Sequence, residues 1–339
     1  MKKLSFLEKF LFSINSLTAF LFLFSLVIPY LKPSVSSELS ILSLFSPLII
    51  ILNMLFLFFW IAKLKKHFLL SLIVLIIGAD SLKSFINFSN NSKFTGENNI
   101  SVISYNVRLF NIYNWINEDE VTLKIQKFLN DKNVDIICLQ EYQNSKFKVE
   151  NYPYLHEKLR GNNLKYGQAI FSKYPIVNKG SLDFNSPTNN AIFSDIKIDK
   201  DTIRVYNIHL ESFSLNNEFE FRDLNNNSDK FMDNISNTFV EQEEQVQILK
   251  NSIKNSPHNV IVAGDFNNTA FSYIYREISK GFNDSFKEKG NGFGITFNYN
   301  FIPLRIDFIL AEKLFKINSF KTFKINLSDH EPIYSEITY

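Results

Sequence analysis

An α/β domain carried behind an N-terminal helical membrane region is the fold class this sequence predicts, and three observations predict it. Residues 11–31 and 41–62 carry no charge. From residue 100 onward, short β-branched and apolar runs alternate with a few segments of helical spacing. Several of those runs end on an Asn, Glu, His or Asp. At 339 residues the chain has room for one large domain and an accessory segment. With 45% hydrophobic and 21% charged residues, disorder throughout is excluded. The single cysteine, Cys138, excludes an intrachain disulfide framework and a Cys-rich zinc module.

The membrane region comes first. At about 1.5 Å per residue, each charge-free stretch is long enough to cross a hydrocarbon core of about 30 Å. A third stretch is purely apolar only over 68–79 and reaches spanning length by continuing to Ile86, past Asp80 and Lys83. Those two lie one turn apart and can pair, or snorkel toward the interface. An interfacial or re-entrant helix is the alternative; charge counting favours a span. Lys2, Lys3 and Lys9 precede the first span, and Lys63, Lys65 and Lys66 separate the second from the third. The intervening loop has only Lys32, offset by Glu38. The positive-inside tendency therefore gives three spans, at about 11–31, 41–62 and 67–86, with the N-terminus in the cytoplasm and the remainder outside it. The first span lacks a small-residue cleavage site and is followed by a second, so it reads as retained.

Residues 87–98 are polar and linker-like. This divides the chain into a membrane anchor over 1–90, a linker over 91–98 and a soluble domain over 99–339. The alternating run 100–106 (ISVISYN) reads as a strand, 118–130 as a helix and 135–139 (DIICL) as a buried strand. Strands follow at 168–171, 191–198 and 203–208, a helical face at 241–254, and further strands at 260–263, 305–310 and 333–337. Residues 212–237, rich in Asn, Ser and acids, read as a long surface insertion. There is no internal repeat and no glycine-rich nucleotide fingerprint.

Polar groups recur at the strand ends: Asn106, Glu141, His209, Asp265 and Asn267, then Asp307 within RIDFIL and Asp329-His330 before the last strand. Each has an ordinary reading as a turn or cap residue, and Asp307 has one as a core acid paired with Arg305. Turn chemistry does not account for the ordered set. The series ISYNV, LQE, GQAIFSKYPI, NIHLES, GDFN, RIDFIL, SDHEP resembles the endonuclease/exonuclease/phosphatase superfamily over about 99–339. That superfamily has the DNase-I-like fold and includes membrane-anchored bacterial members. The resemblance implies a four-layer α/β sandwich, two packed β-sheets flanked by helices, and a hydrolase acting on phosphate esters.

It also implies roles. Glu141 is the expected first ligand of Mg²⁺ or Mn²⁺, with Asn106 and Asp329 near the same ion; hard cations take oxygen donors. His330 is the expected acid/base or electrostatic stabiliser, oriented by Asp307. Asp265 activates the attacking water, while Asn267 and His209 face the phosphate. The substrate class is a phosphodiester or phosphomonoester in a nucleic acid, a nucleotide or a phospholipid head group, with a nuclease-type diester slightly favoured. The lipid bilayer is the one other partner expected, and no obligate protein partner is evident.

Charge bears on that choice. Residues 1–98 hold nine Lys and four acids, which leaves 27 basic and 30 acidic residues beyond them, a net of −3. That balance disfavours a strong nonspecific nucleic-acid binder. Cys138, inside a strand, reads as core, and His67, His156 and His258 as surface groups. A catalytically silent membrane scaffold is the alternative from another class. It would tolerate loss of Glu141, Asp265 or His330, and all three stand.

Overall fold

The computed structural model describes residues 4–89, 98–144, 147–161, 164–186, 189–213, 224–299 and 302–339. Helix α1 (Phe6–Ser25) opens on a reciprocal cap: Ser5 Oγ accepts from the Glu8 amide, and Glu8 accepts from the Ser5 amide. Helices α2 (Ser37–Ala62), α3 (Phe68–Ile77) and α4 (Ala79–Phe85) complete the N-terminal helical region. Buried amides join the helices: Asn15 donates to Ser71 Oγ at 2.7 Å and accepts from Trp60 Nε1 at 3.0 Å. Asn53 donates to the Thr18 carbonyl at 3.0 Å. Such bonds fix the positions of neighbouring helices where every facing surface is apolar.

Two of these helices are long and apolar enough to cross a membrane. The third segment differs from a straight span, because α3 and α4 meet at an angle of 82°. Gly78 stands at the break, and a Cβ there would lie 2.4 Å from the Phe22 ring. Asp80 pairs with Lys287 of the soluble domain at 2.6 Å, not with Lys83. His67 is half-buried, its ring against Phe12 and Trp60, so it is not the surface group expected.

The bundle has two unlike ends. Lys65 and Lys63 act electrostatically on Glu8 at the start of α1. At the other end the soluble domain docks: Arg276 lies over the Tyr30 ring at 4.0 Å, and Glu243 accepts from the Ser34 amide at 2.8 Å. Pro47 lies within α2 and has no N–H for the carbonyl of Ser43, four residues back. The hydroxyl of Thr269, from the soluble domain, donates to that carbonyl at 3.2 Å.

Strand β1 (Ile86–Phe88) pairs with Asn291–Phe293, so residues 87 and 88 of the expected linker are docked strand. Ser89 follows, its amide donating to the Gly290 carbonyl at 3.1 Å, and residues 90–97 of that linker lie outside the described residues. The soluble domain runs β2 (Asn99–Asn106), α5 (Val121–Lys132), β3 (Ile136–Tyr142), β4 (Tyr154–Arg160), β5 (Tyr166–Ser172), β6 (Ile176–Ser181), β7 (Asn190–Ile198), β8 (Asp201–His209) and α6 (Leu224–Lys254). It continues through β9 (Asn259–Asp265), α7 (Tyr273–Ser279), β10 (Phe282–Asp284), α8 (Ser285–Lys289), β11 (Asn291–Phe293), β12 (Phe297–Tyr299), β13 (Ile302–Leu304), β14 (Asp307–Glu312), β15 (Lys316–Thr322) and β16 (Ile333–Thr338).

Two six-stranded sheets result, ordered β15-β16-β2-β3-β5-β4 and β10-β14-β9-β8-β7-β6. Among the described strands, β2/β3 and β8/β9 are the parallel pairs. Alternation along the strands builds the layers. Ile100, Val102, Ile136 and Cys138 of one sheet meet Ile203, Val205, Ile261 and Ile309 of the other in a shared core. The intervening Ile103, Ile137 and Leu139 pack on α5, and Val260, Val262 and Leu310 pack on α6 and α7. The order is helix, sheet, sheet, helices: the four-layer sandwich expected.

The expected insertion over 212–237 is corrected in part. From Leu224 onward the chain is already α6, because the helical face that ends at Lys254 extends back to Ile235 and Phe239, which pack on Ile41 of α2. Residues 214–223 lie outside the described residues. His156 is also corrected: it is buried on β4, its Nδ1 3.1 Å from Ser194 Oγ. Cys138 is buried core, as expected.

Gly264, one residue before Asp265, has φ +146°, and a Cβ there would stand 2.0 Å from the Ile208 carbonyl oxygen. Neighbouring backbone cannot yield as a flexible side chain would. Gly264→Ala is therefore expected to cost about 3 kcal/mol or more, read as a lowered Tm in detergent. Gly281→Ala is the control: φ is +87° with open space around the site, so the cost is about 1 kcal/mol. Equal shifts would contradict the close-approach argument.

Candidate active site

The inner faces of the two sheets are apolar at one end and polar at the other. On β2, Ile100 and Val102 give way to Ser104 and Asn106; on β8, Ile203 and Val205 give way to Asn207 and His209. Strand β9 passes from Ile261 and Ala263 to Asp265, and β14 begins at Asp307 before Ile309. The register then aligns three of these groups, pairing Asp265 with His209 across the parallel ladder and with Asp307 across the antiparallel one. A cluster on three adjacent strands needs no loop to assemble it.

Asp265 is the hub and is fully buried. Its Oδ1 accepts from the Asn267 amide at 2.7 Å, an Asx turn that fixes the carboxylate. Its Oδ2 accepts from Asn106 Nδ2 at 3.0 Å and lies 3.6 Å from His330 Nε2 and 3.7 Å from His209 Nε2. The other ring nitrogen of His330, Nδ1, is 2.9 Å from Asp307 Oδ2. Arg305 pairs with Asp284 at 2.8 Å, so the alternative in which Asp307 is neutralised by Arg305 does not hold.

Electrostatics follow the geometry. Burial works against a charged His330, but the carboxylates of Asp307 and Asp265 outweigh it and push the imidazole up to about 10. Burial pushes Asp265 up to about 6, with the His330 charge pulling the other way and Asp307 adding to the rise. Burial holds His209 below the usual imidazole range, Asp265 opposing. An imidazolium and a base near neutrality thus stand side by side.

Glu141 reaches this cluster through a bulge. The β3–β5 register shifts between Leu139 and Tyr142, and Glu141 has φ +49°. Gln140 therefore still faces inward, onto Asn207 at 2.6 Å, and Tyr142 outward, while Glu141 turns to the site. Its Oε1 accepts from Asn106 Nδ2 at 3.1 Å and lies 3.9 Å from His209 Nε2. Burial and the charge of Asp329 raise the Glu141 carboxyl. Asp329 pairs with Arg108 at 3.1 Å, and Ser328 Oγ donates to the Asn106 carbonyl at 2.9 Å. Asn267 donates from Nδ2 to the Leu210 carbonyl at 2.8 Å.

Two groups could hold a cation. Ligand atoms of Asp265, Asp307 and His330 all lie within 4.8 Å of one another. In that group the positive charge is already supplied by His330, whose two nitrogens face the two carboxylates. Glu141 and Asp329, hard oxygen donors whose charges repel, fit a divalent cation better. Asn106 presents its nitrogen to Glu141 and its Oδ1 to the Arg108 amide, so ligation by this side chain requires the amide to turn over.

The Endonuclease/Exonuclease/phosphatase family profile matches residues 103–330. The chain belongs to that family. The family's members hydrolyse phosphoester bonds, and the site just described lies within the matched residues. A second profile, a domain of unknown function (DUF8431), matches residues 8–85. No curated protein matches the chain. Among solved structures, an endonuclease/exonuclease/phosphatase from Bacteroides vulgatus is similar at TM-score 0.55 and 18% identity, over 71% of this chain and 99% of that one. A family protein from Leptotrichia buccalis gives 0.51 and 17%, over 71% and 100%. D. rerio TDP2, complexed with single strand DNA product, gives 0.52 and 16%, over 71% and 99%. At these identities the likeness is one of fold.

All eight expected residues of this family member converge on one end of the sandwich. Several of their partners had no role assigned from sequence. Arg108 pairs with Asp329, and Gln140 and Asn207 form the polar floor, Asn207 donating to the Leu139 and Ala169 carbonyls. The Phe297 ring lies 4.7 Å from that of His330, and Thr296 Oγ1 accepts from the Asp307 amide at 3.1 Å. Gln140 and Asn207 stand within LQE and NIHLES, where the period of two marks them as inward-facing. Phe297 and Thr296 carry no such signal.

Asp307→Asn is expected to lower turnover by about two to four orders of magnitude, with little change in substrate affinity. His330→Ala should be hardly worsened by adding Asp307→Asn. Because the raised His330 is protonated below its folded value, the alkaline limb of the wild-type rate is expected near pH 10. Without Asp307 it moves to lower pH, and NMR titration of the His330 ring reads the same fall. An unmoved ring titration with full turnover per folded molecule would end the dyad assignment.

Proposed function

We propose that the protein is a membrane-anchored, divalent-metal-dependent phosphoesterase, using Mg²⁺ or Mn²⁺, whose catalytic domain stands outside the cytoplasm. The observation that carries the reading is Asp265, a buried carboxylate facing two imidazoles, beside the acidic pair Glu141 and Asp329. Asp265 takes a proton from the attacking water; its raised value suits a base working near neutral pH. His330, held protonated by Asp307, offsets charge on the phosphoryl group and gives a proton to the leaving oxygen. His209 faces the same phosphate, and the second Nδ2 hydrogen of Asn267 is left for a phosphoryl oxygen. Glu141 and Asp329, with Asn106 turned over, would hold the cation, which supplies Lewis-acid charge neutralisation.

Orientation is supported by the two ends of the bundle. Lys63 and Lys65 lie beside the start of α1, and the catalytic domain docks on the opposite end.

Glu141→Gln keeps the shape and removes one ligand charge. Hydrolysis of bis-nitrophenyl phosphate should fall at least about a hundredfold, partly restored by excess metal. Activity unchanged in EDTA would remove the metal from the mechanism. A reporter active only outside the cytoplasm should report when fused after residue 95 and stay silent when fused at residue 65. The reverse pattern would place the catalytic domain in the cytoplasm.

A further inference from the structure

The active-site end of the sandwich is also the end that meets the membrane helices. Each of the reactive strand ends of the second sheet continues into a contact with the bundle. After His209, the chain reaches Phe213, which packs with Ile41 and Leu44. After Asp265, Thr269 donates to the Ser43 carbonyl, and Phe271 is buried among Phe22, Ile49 and Ile50. Before Asp307, Arg305 Nε donates to the Ser84 carbonyl at 3.3 Å. Leu23, Leu48 and Ile51, at the height of Phe271, are exposed and form part of the apolar belt that lipid would cover. Thr269 is four residues from Asp265, at most about 14 Å of extended chain. The carboxylate therefore lies within reach of the head-group layer, a zone of about 5–8 Å on each side of the hydrocarbon core.

A second observation lies across the mouth. The loop that follows Asn106 at the same end carries Ile112, 45% exposed, and Tyr113, 61% exposed, next to Trp115. Arg108 stacks on Trp115 at 4.3 Å and holds Asp329, so this tip is tied to the site. An exposed aliphatic and aromatic tip suits a membrane interface, where Tyr and Trp are enriched. The net charge of −3 beyond residue 98 disfavours strong nonspecific nucleic-acid binding as the rival use.

The geometry points to a phosphate ester in the head group of a bilayer lipid as the substrate, taken from the membrane plane by a mouth that rests on it. This rests on the phosphoesterase and membrane readings proposed above. Water forms the new bond to phosphorus as the bond to the leaving alcohol oxygen breaks. One water proton ends on that alcohol, so a lipid diester gives one alcohol and one phosphate monoester.

The experiment uses the full chain in proteoliposomes of phosphatidylcholine and phosphatidylglycerol with Mg²⁺. Release of products from these lipids is compared with hydrolysis of their deacylated glycerophosphodiesters, bis-nitrophenyl phosphate, plasmid DNA and a single-stranded oligonucleotide. Lipid turnover should exceed that of the deacylated diesters at least about tenfold, reflecting the raised local concentration. Ile112→Glu/Tyr113→Glu should lower lipid turnover by a similar factor and leave bis-nitrophenyl phosphate hydrolysis unchanged; Ile112→Ala/Tyr113→Ala replaces it should the acidic pair not fold. Hydrolysis of bis-nitrophenyl phosphate or DNA without lipid preference overturns the inference and leaves the phosphoesterase reading standing. Equal loss on both substrates in the folded loop variant also overturns it. Hydrolysis of none of the substrates overturns that reading and the inference together.

Discussion

The period of two along strands that face each other between two sheets is the constraint on which the rest of the structure depends. Residues two apart share a face, so one inner surface carries Ile203, Val205, Asn207 and His209 in succession. The apolar half closes the sandwich, and the polar half, continuous with it, becomes the site. A slip of one residue in β8 or β9 would send His209 or Asp265 into the layer under α6 and α7. The core therefore holds the catalytic geometry through its register. Gly264 marks how tight the fit is, since no side chain can stand between β8 and β9 at that point.

Gathering Asp265, Asp307, Glu141 and Asp329 at one end would be costly if each were unpaired. The fold offsets this locally. His330 lies between Asp265 and Asp307, Arg108 stands on Asp329, and backbone or amide donors meet both oxygens of Asp265. Glu141 accepts from the Asn106 amide and lies 3.9 Å from His209 Nε2, while burial and Asp329 raise its carboxyl. It is also the residue displaced from regular strand geometry, with a left-handed φ that a glutamate does not ordinarily adopt. An unusual backbone conformation and a raised carboxyl fall on the same residue, which is where a cation would act.

Much of this was legible in the sequence, and the parts that were not share physical causes. Central strands such as β2, β3, β8 and β9 are apolar on both faces, and their signals are strong. β4 (YLHEKLR) and β15 (KINSFKT) escaped notice because edge strands carry charge and polar groups that protect an unpaired edge. The helical start of α6 was hidden by asparagines, poor helix formers that tertiary contacts through Ile235 and Phe239 overrule. His156 read as a surface group because a hydrogen bond to Ser194, far off in sequence, is what makes its burial tolerable. The bend at Gly78 depends on Phe22 occupying the notch. The residues that converge were singled out because their order resembles a known motif series; neighbours such as Phe297 against His330 are brought in across the fold.

One contact between the N-terminal helices and the catalytic domain replaces a missing hydrogen bond. A proline inside a helix leaves the carbonyl four residues back without its donor. In α2 the carbonyl is that of Ser43, and the donor that replaces the lost N–H is Thr269. Thr269 belongs to the short segment that begins at Asp265 and ends at Phe271, buried in the bundle. That segment is held at its first residue by the Asx turn with Asn267 and at its last by Phe22, Ile49 and Ile50. The strand end that carries Asp265 is thereby joined to the N-terminal helices through the same contact that satisfies the α2 carbonyl.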